Sequence, residues 1–151
     1  MPTTRIEDFL YAHRVAHEVI PHRVAFTATG VAGAAHIPGR EMAKTVVVSL
    51  DGHLALAVLP ATRKVNLERL RQATGSLRAE LAREREFIPD FPGCEPGAMP
   101  PFGNLYGMPV YVEPHLAEDE RIAFNAGTHT EVIRMAYEDF VRLAHPKLVD
   151  M

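Results

Sequence analysis

The dipeptide Asp51-Gly52 constrains this chain more than any other feature. It separates two runs rich in β-branched and aliphatic residues, Lys44–Leu50 (KTVVVSL) and His53–Leu59 (HLALAVL). Aspartate and glycine tolerate the positive φ that a tight hairpin turn demands, so the pair between such runs predicts a β-hairpin. An isolated hairpin is marginal in water. More sheet and a covering layer must come from the rest of the chain. With 151 residues, 47% of them hydrophobic, the chain can bury a substantial core as one domain spanning 1–151.

The flanking segments supply that layer. Thr4-Arg5-Ile6-Glu7 fits a capping box, and Ile6, Phe9 and Leu10 follow at helical spacing, which predicts a helix from Thr4 to Val15. His17 to Val24 reads as a short strand broken at Pro21, and the small residues of Thr27 to Ala35 as a tightly packed short helix. Asn66 is an N-cap for a helix carrying Leu67 and Leu70, stopped by Gly75. Leu77–Ala79 is expected as a short strand and Glu80–Phe87 as a helix. Met108–Glu113, Arg121–Asn125 and Glu131–Ala136 are expected as strands, and Tyr137–Leu143 as a closing helix. Mixed elements with one clear hairpin predict an α/β (mixed α+β) domain with a mixed sheet.

Composition excludes several classes. No apolar run approaches the roughly 18 residues of a membrane span, and Met1–Leu10 lacks the pattern of a signal peptide. A single cysteine, Cys94, rules out an internal disulfide framework and suits a reducing compartment, so the cytoplasm is the expected location. A net charge of −3 argues against coating nucleic acid by charge alone, DNA included. Arg63, Lys64, Arg69 and Arg71, and then Arg78, Arg83 and Arg85, interleave with Glu68, Glu80, Glu84 and Glu86, as on a solvated helix face.

A second feature is the stretch CEPGAMPPFGNLYGMPVYVE, residues 94–113. Pro96, Pro100, Pro101 and Pro109 fix φ, while Gly97, Gly103 and Gly107 allow positive φ or close backbone approach. Met99, Phe102, Leu105 and Tyr106 are too apolar for a disordered linker. This is a loop with a defined shape.

Familiar catalytic patterns are absent. Ser49 falls inside a strand and Ser76 follows a helix stop, so neither sits in a G-x-S-x-G elbow. Cys94 with His129 as base is a candidate thiol pair, although a lone cysteine is more often an unreactive small side chain. His13, His17 and His22 lack the glutamate of H-E-x-x-H, which leaves no metal site expected. Gly39 to Thr45 matches the tail of a P-loop only superficially, because Ala43 replaces a glycine and Lys44-Thr45 enters a strand. Lys44 itself reads in two ways: an ammonium aimed into a cleft, or an edge-strand lysine that discourages aggregation.

Taken together, AKTVVVSLDGHLALAVLP, GCEPGAMPPFGNLYGMPVYVE and FNAGTHTEVIRMAYEDF resemble the YbaK/prolyl-tRNA-synthetase-associated editing domain family. The resemblance spans about Thr4 to Pro146. Its most specific parts are the strand-borne Lys44 and the G-x-x-x-P loop, Gly97-Ala98-Met99-Pro100-Pro101. It implies a strongly curved mixed sheet flanked by helices. It also implies hydrolysis of the ester between a wrong amino acid and the 3′ end of a tRNA, proline-type or similar, by an enzyme acting in trans.

The site residues implied are Lys44 and the backbone N–H groups of Gly97, Ala98 and Met99 for catalysis. Pro100, Pro101, Phe102, Gly103, Asn125, Gly127, Thr128, His129 and Thr130 would line the substrate. Lys44 would contact the terminal phosphate or the ester carbonyl, and a ribose hydroxyl of the substrate would assist the water. His129 is either a water-positioning residue or a structural one. Several family members carry serine or threonine where Pro100 stands, so the amino acid removed is left open. No cofactor is implied. The implied partner is the acceptor end of an aminoacyl-tRNA, with association with an aminoacyl-tRNA synthetase a further expectation. The runner-up reading is a catalytically idle binding module on the same fold. The oligomeric state is not legible.

Overall fold

A computed structural model describes residues 2–151, with side chains from Ile6 onward. In chain order the elements begin with helix α1 (Pro2–Ala12), strand β1 (His17–Pro21), helix α2 (Ala28–Ala34), and strands β2 (Ala43–Leu50) and β3 (His53–Pro60). Helix α3 (Leu67–Thr74), strand β4 (Ala79–Leu81), helix α4 (Glu84–Phe87) and strand β5 (Val110–Val112) follow. Strands β6 (Arg121–Asn125) and β7 (Glu131–Ala136), helix α5 (Tyr137–Ala144) and strand β8 (Lys147–Leu148) complete the order.

The hairpin forms where the sequence places it. Asp51 and Gly52 both take positive φ, +51° and +84°, and β2 pairs with β3 from Ala43↔Pro60 to Leu50↔His53. This hairpin sits inside a five-stranded sheet of order β4-β2-β3-β5-β8, in which β5 and β8 are the parallel additions. The antiparallel strands β1-β7-β6 form a second sheet. A parallel bridge between Met42 and Ala123 joins the two, supported by Ala123 N–H donating to Glu41 O (2.9 Å) and Ala61 N–H to Met42 O (2.7 Å). The expected curved mixed sheet is thus one surface divided in two at the entrance to β2.

Both faces of the larger sheet are covered, which is why β3 is buried from Ala55 to Pro60 without alternation. One face packs Val47, Leu56 and Val58 against Ile6, Leu10, Phe124 and Phe140. The other packs Val48, Leu50 and Ala57 against Leu70, Val149 and Met151. Among the described residues no helix is long and apolar enough to cross a membrane.

Several boundaries differ from expectation: β1 ends at Pro21 rather than Val24, and β5 shortens to Val110–Val112. Helix α1 stops at Ala12, short of Val15, because Arg14 turns left-handed (φ +55°). Val15 N–H then closes back on Leu10 O and Arg14 N–H on Tyr11 O, a C-terminal cap that needs no glycine. The Thr4 capping box lies outside the described side chains. Strand β4 lies at Ala79–Leu81, later than expected, because Asp51 takes the N–H groups of Leu77 and Arg78 and delivers Ala79 opposite Leu50. The pairing of Glu80 and Leu81 with β2 then confines α4 to Glu84–Phe87. Strand β8, carrying only two residues, has no pattern long enough to read.

Candidate active site

Gly97 occupies a backbone conformation that suits glycine. Its φ is +85°, it is exposed, and a Cβ there would lie 3.5 Å from His129 Cε1. The surrounding turn closes through Ala98 N–H donating to Glu95 O at 3.0 Å. Beyond it the chain dives inward: Ala98, Met99, Pro100 and Pro101 are buried. Gly97 is therefore the tip of a rigid arch rooted in the core.

The arch is clipped to the segment between β6 and β7. Gly127 N–H donates to Ala98 O (2.9 Å), and Glu95 N–H to Gly127 O (2.8 Å). The Glu95 carboxylate accepts the backbone N–H of His129 at 2.8 Å, and His129 Nε2 lies 2.8 Å from Pro96 O. A carbonyl only accepts, so Nε2 carries the proton and Nδ1 is left with a lone pair. Among the described residues, Nδ1 of His129 and Oδ1 of Asn125 are buried without a hydrogen-bond partner, as are Nε2 of His22 and Nε of Arg134. Buried polar atoms are ordinarily paired, so the two acceptors on this segment have capacity for a ligand's donors. Thr128, also buried, places its hydroxyl 3.4 Å from that of the exposed Thr130.

Lys44 comes from the other sheet. It pairs across the hairpin with Leu59 and lies two residues beyond the Met42–Ala123 bridge, and the same count along β6 reaches Asn125. It is half-buried, and its ammonium is held below the ordinary lysine value of 10.5, chiefly by burial and then by the charge of Lys64. Among the described residues it belongs to no ion pair. A desolvated cation without a counter-ion suits an anionic or carbonyl ligand.

Not every implied residue stands in the same place. Phe102 is fully buried among Phe9, Phe124 and Phe140, so its side chain is part of the core. Gly103 sits against Met108, whose carbonyl oxygen a Cβ would meet at 2.3 Å. Close packing is what requires glycine there. The Met99 side chain also belongs to the core, so only its backbone can serve a site. Of the three implied N–H donors, Ala98 is engaged within the turn by Glu95 O. Gly97 N–H and Met99 N–H make no hydrogen bond among the described residues.

The residues of the two alternative chemistries have contacts of their own. His129 gives Nε2–H to Pro96 and leaves Nδ1 unpaired, so it forms no bond to a Cys94 thiol, whose Sγ lies 3.4 Å from Tyr106 Oη. His13, His17 and His22 each turn a ring nitrogen to a nearby carbonyl, of Phe9, Val15 and Arg23 respectively. A recess of about 630 Å³ lined by Glu118, Arg121, Ala136 and Tyr137 lies at the Arg121 end of β6, away from Asn125.

Sequence reading missed two residues that contact His129. Glu95 ties the two loops together over 34 residues of separation, which no local pattern reports. Phe26, 72% exposed, rests edge-on against the His129 ring with centroids 4.9 Å apart. An aromatic beside the small residues of α2 was the only available sign.

With this geometry in place, comparison with known proteins gives a consistent answer. Residues 22–143 match the model of the aminoacyl-tRNA editing domain. The chain is 34% identical over 113 residues to the multifunctional Ser/Thr-tRNA deacylase ProXp-y of Escherichia coli strain K12, covering 72% of this chain and 67% of that protein. A solved structure described as a candidate trans-editing enzyme for prolyl-tRNA synthetase superposes with a TM-score of 0.84 at 18% identity, covering 99% of this chain and 95% of that one. A scaffold protein from computational epitope grafting gives a TM-score of 0.86 at 16% identity, over 99% and 96% of the two chains. The two structural likenesses concern the fold alone. The chain belongs to the aminoacyl-tRNA editing domain family. It is a hydrolase, an aminoacyl-tRNA deacylase.

Proposed function

We propose that this deacylase works in trans on tRNAs mischarged with a small hydroxyl-bearing amino acid, proline-type tRNA among them. The aminoacyl ester lies between the Gly97 arch and the Asn125–Thr130 segment. The observation that carries this reading is the clip of four hydrogen bonds binding those two segments around Gly97 and His129.

The ester is already activated, so hydrolysis needs orientation, a water and donors at the developing oxyanion rather than a protein nucleophile. Water attacks the carbonyl carbon, the bond to the ribose oxygen breaks, and that oxygen leaves with a proton. Gly97 N–H and Met99 N–H are the available oxyanion donors, each worth on the order of 100-fold in rate. Ala98 shapes the turn instead. His129 is a positioning residue that braces Pro96 and therefore Gly97. Lys44 holds the terminal phosphate or polarises the ester carbonyl. Pro100 and Pro101 stiffen the pocket wall, while Phe102 and Gly103 support it from the core.

The amino-acid preference rests on the orphaned acceptors. Asn125 Oδ1 and His129 Nδ1 can take two donors, and a seryl or threonyl ester has an α-ammonium and a hydroxyl to give. Alanyl and prolyl esters lack the hydroxyl. The relative from Escherichia coli, named for Ser/Thr-tRNA, supports the same choice. Association with a synthetase, which would pass the charged tRNA on directly, and work in the cytoplasm belong to this reading. A deacylation panel tests it: seryl- and threonyl-tRNA should be cleared at least tenfold faster than alanyl- or prolyl-tRNA. Equal rates across the panel would remove the hydroxyl from the account.

A further inference from the structure

Glu95 fastens the arch through backbone and side chain alike. Its N–H donates to Gly127 O at 2.8 Å, and its carbonyl oxygen accepts Ala98 N–H at 3.0 Å. Its carboxylate Oε1 accepts the backbone N–H of His129 at 2.8 Å. The amide oxygen of a glutamine could accept that same N–H, so the clip explains an acceptor at this position but not a charge. Oε2 makes no hydrogen bond, and Glu95 belongs to no ion pair among the described residues. Because Oε1 is pinned to His129, Oε2 on the same carbon is held there too, beside the residue whose Nδ1 is unpaired. The side chain is exposed, so a ligand can reach it.

That charge is opposed to most of the substrate. The end of a nucleic acid carries phosphates, which a carboxylate repels. An aminoacyl ester of serine or threonine brings one cationic group, its α-ammonium, with three N–H donors. Neutral acceptors such as Asn125 Oδ1 and His129 Nδ1 satisfy donors without balancing the charge. A pinned carboxylate does both, and charge-assisted hydrogen bonds are the stronger kind.

We propose that Glu95 binds the α-ammonium of the aminoacyl group and so directs the enzyme to esters with a free amine. An ester whose amine is acylated, as when it carries a peptide, presents an uncharged amide with a single N–H and added bulk. The inference rests on the deacylase reading for its ligand. Glu95 is a specificity residue and takes no part in breaking the ester bond.

The test separates charge from clip. Single-turnover hydrolysis of seryl-tRNA and N-acetylseryl-tRNA is measured for the wild type, Glu95→Gln and Glu95→Ala, each checked for an intact thermal transition. Dissociation constants are measured for 3′-serylamino-3′-deoxyadenosine, whose amide resists hydrolysis, and for its N-acetyl derivative. The wild type should prefer the free amine by on the order of tenfold in both rate and binding, and Glu95→Gln, which keeps the bond to His129, should cut that preference by roughly fivefold. Glu95→Ala should show the same reduced preference on top of a lower rate for both substrates, because it also opens the clip. A preference that Glu95→Gln leaves unchanged, or a parallel loss on both substrates, would overturn the proposal, as would equal affinity of the wild type for the two amides. A wild type that binds the free-amine amide selectively through Glu95 but hydrolyses no ester would count against the deacylase reading and uphold the role of Glu95.

Discussion

His129 Nε2 donates to the carbonyl oxygen of Pro96 at 2.8 Å, immediately before Gly97 turns to a φ of +85°. The bond ties the arch tip to a histidine that is itself anchored by Glu95. Two segments more than 25 residues apart thereby act as one rigid element.

Removing that donation should loosen the arch with little effect on the core. His129→Phe keeps an aromatic ring against Phe26 but cannot bond Pro96. We expect kcat to fall tenfold or more, KM for seryl-tRNA to rise because Nδ1 no longer accepts from the substrate, and about 1 kcal/mol of stability to be lost for the missing hydrogen bond. Steady-state kinetics beside thermal unfolding check this. Unaltered kcat in His129→Phe would reduce the contact to packing.

Lys44 predicts a pH dependence. Burial and the charge of Lys64 depress its pKa below 10.5, so the ammonium is lost at a lower pH than in an exposed lysine. Activity that needs the charge should fall on a basic limb displaced below the usual lysine range. Lys64→Gln removes the second cause and should move that limb upward. The stability effect has the opposite sense. Between the depressed pKa and 10.5 the unfolded chain binds more protons, so this group's unfavourable contribution is relieved as pH rises. A basic limb that Lys64→Gln leaves in place would break the link between the two lysines.

Thiol and metal chemistry should both be dispensable. Cys94→Ala is expected to retain wild-type turnover, because an activated ester needs no covalent intermediate and the Cys94 Sγ lies against Tyr106 Oη at 3.4 Å. Dialysis against a chelator should likewise leave the rate unchanged. Loss of activity in either experiment, with the fold intact, would transfer the mechanism to a covalent or metal-activated route.

The elements with strong local chemistry were legible from sequence. Asp51-Gly52 turned as expected, Asn66 capped α3 through its side chain, and Gly75 ended it left-handed (φ +71°). Strands β6 and β7 matched their expected limits. Long-range hydrogen bonding decided the rest. Asp51 shifted β4 by capturing the N–H groups of Leu77 and Arg78, and only the folded chain reveals that Ala98 N–H is already engaged. For the candidate site, motif resemblance named Gly97 and the Asn125–Thr130 segment, and the folded chain adds the hydrogen bonds that join them. Glu95 was invisible because its partner lies far along the chain, and Phe102 looked available until its ring was placed between Phe9, Phe124 and Phe140.

The most direct measurement of the central claim compares wild type, Gly97→Ala and Gly97→Val for single-turnover hydrolysis of seryl-tRNA and for thermal unfolding. A Cβ at residue 97 meets His129 Cε1 at an ordinary 3.5 Å, so alanine strains the backbone without a clash and should cost about 1–2 kcal/mol of stability. The branched side chain of valine must also displace His129 or the substrate. We predict a graded loss of rate, on the order of 100-fold for Gly97→Val, out of proportion to its loss of stability. Wild-type hydrolysis by folded Gly97→Val would contradict the claim that the arch cradles the aminoacyl ester.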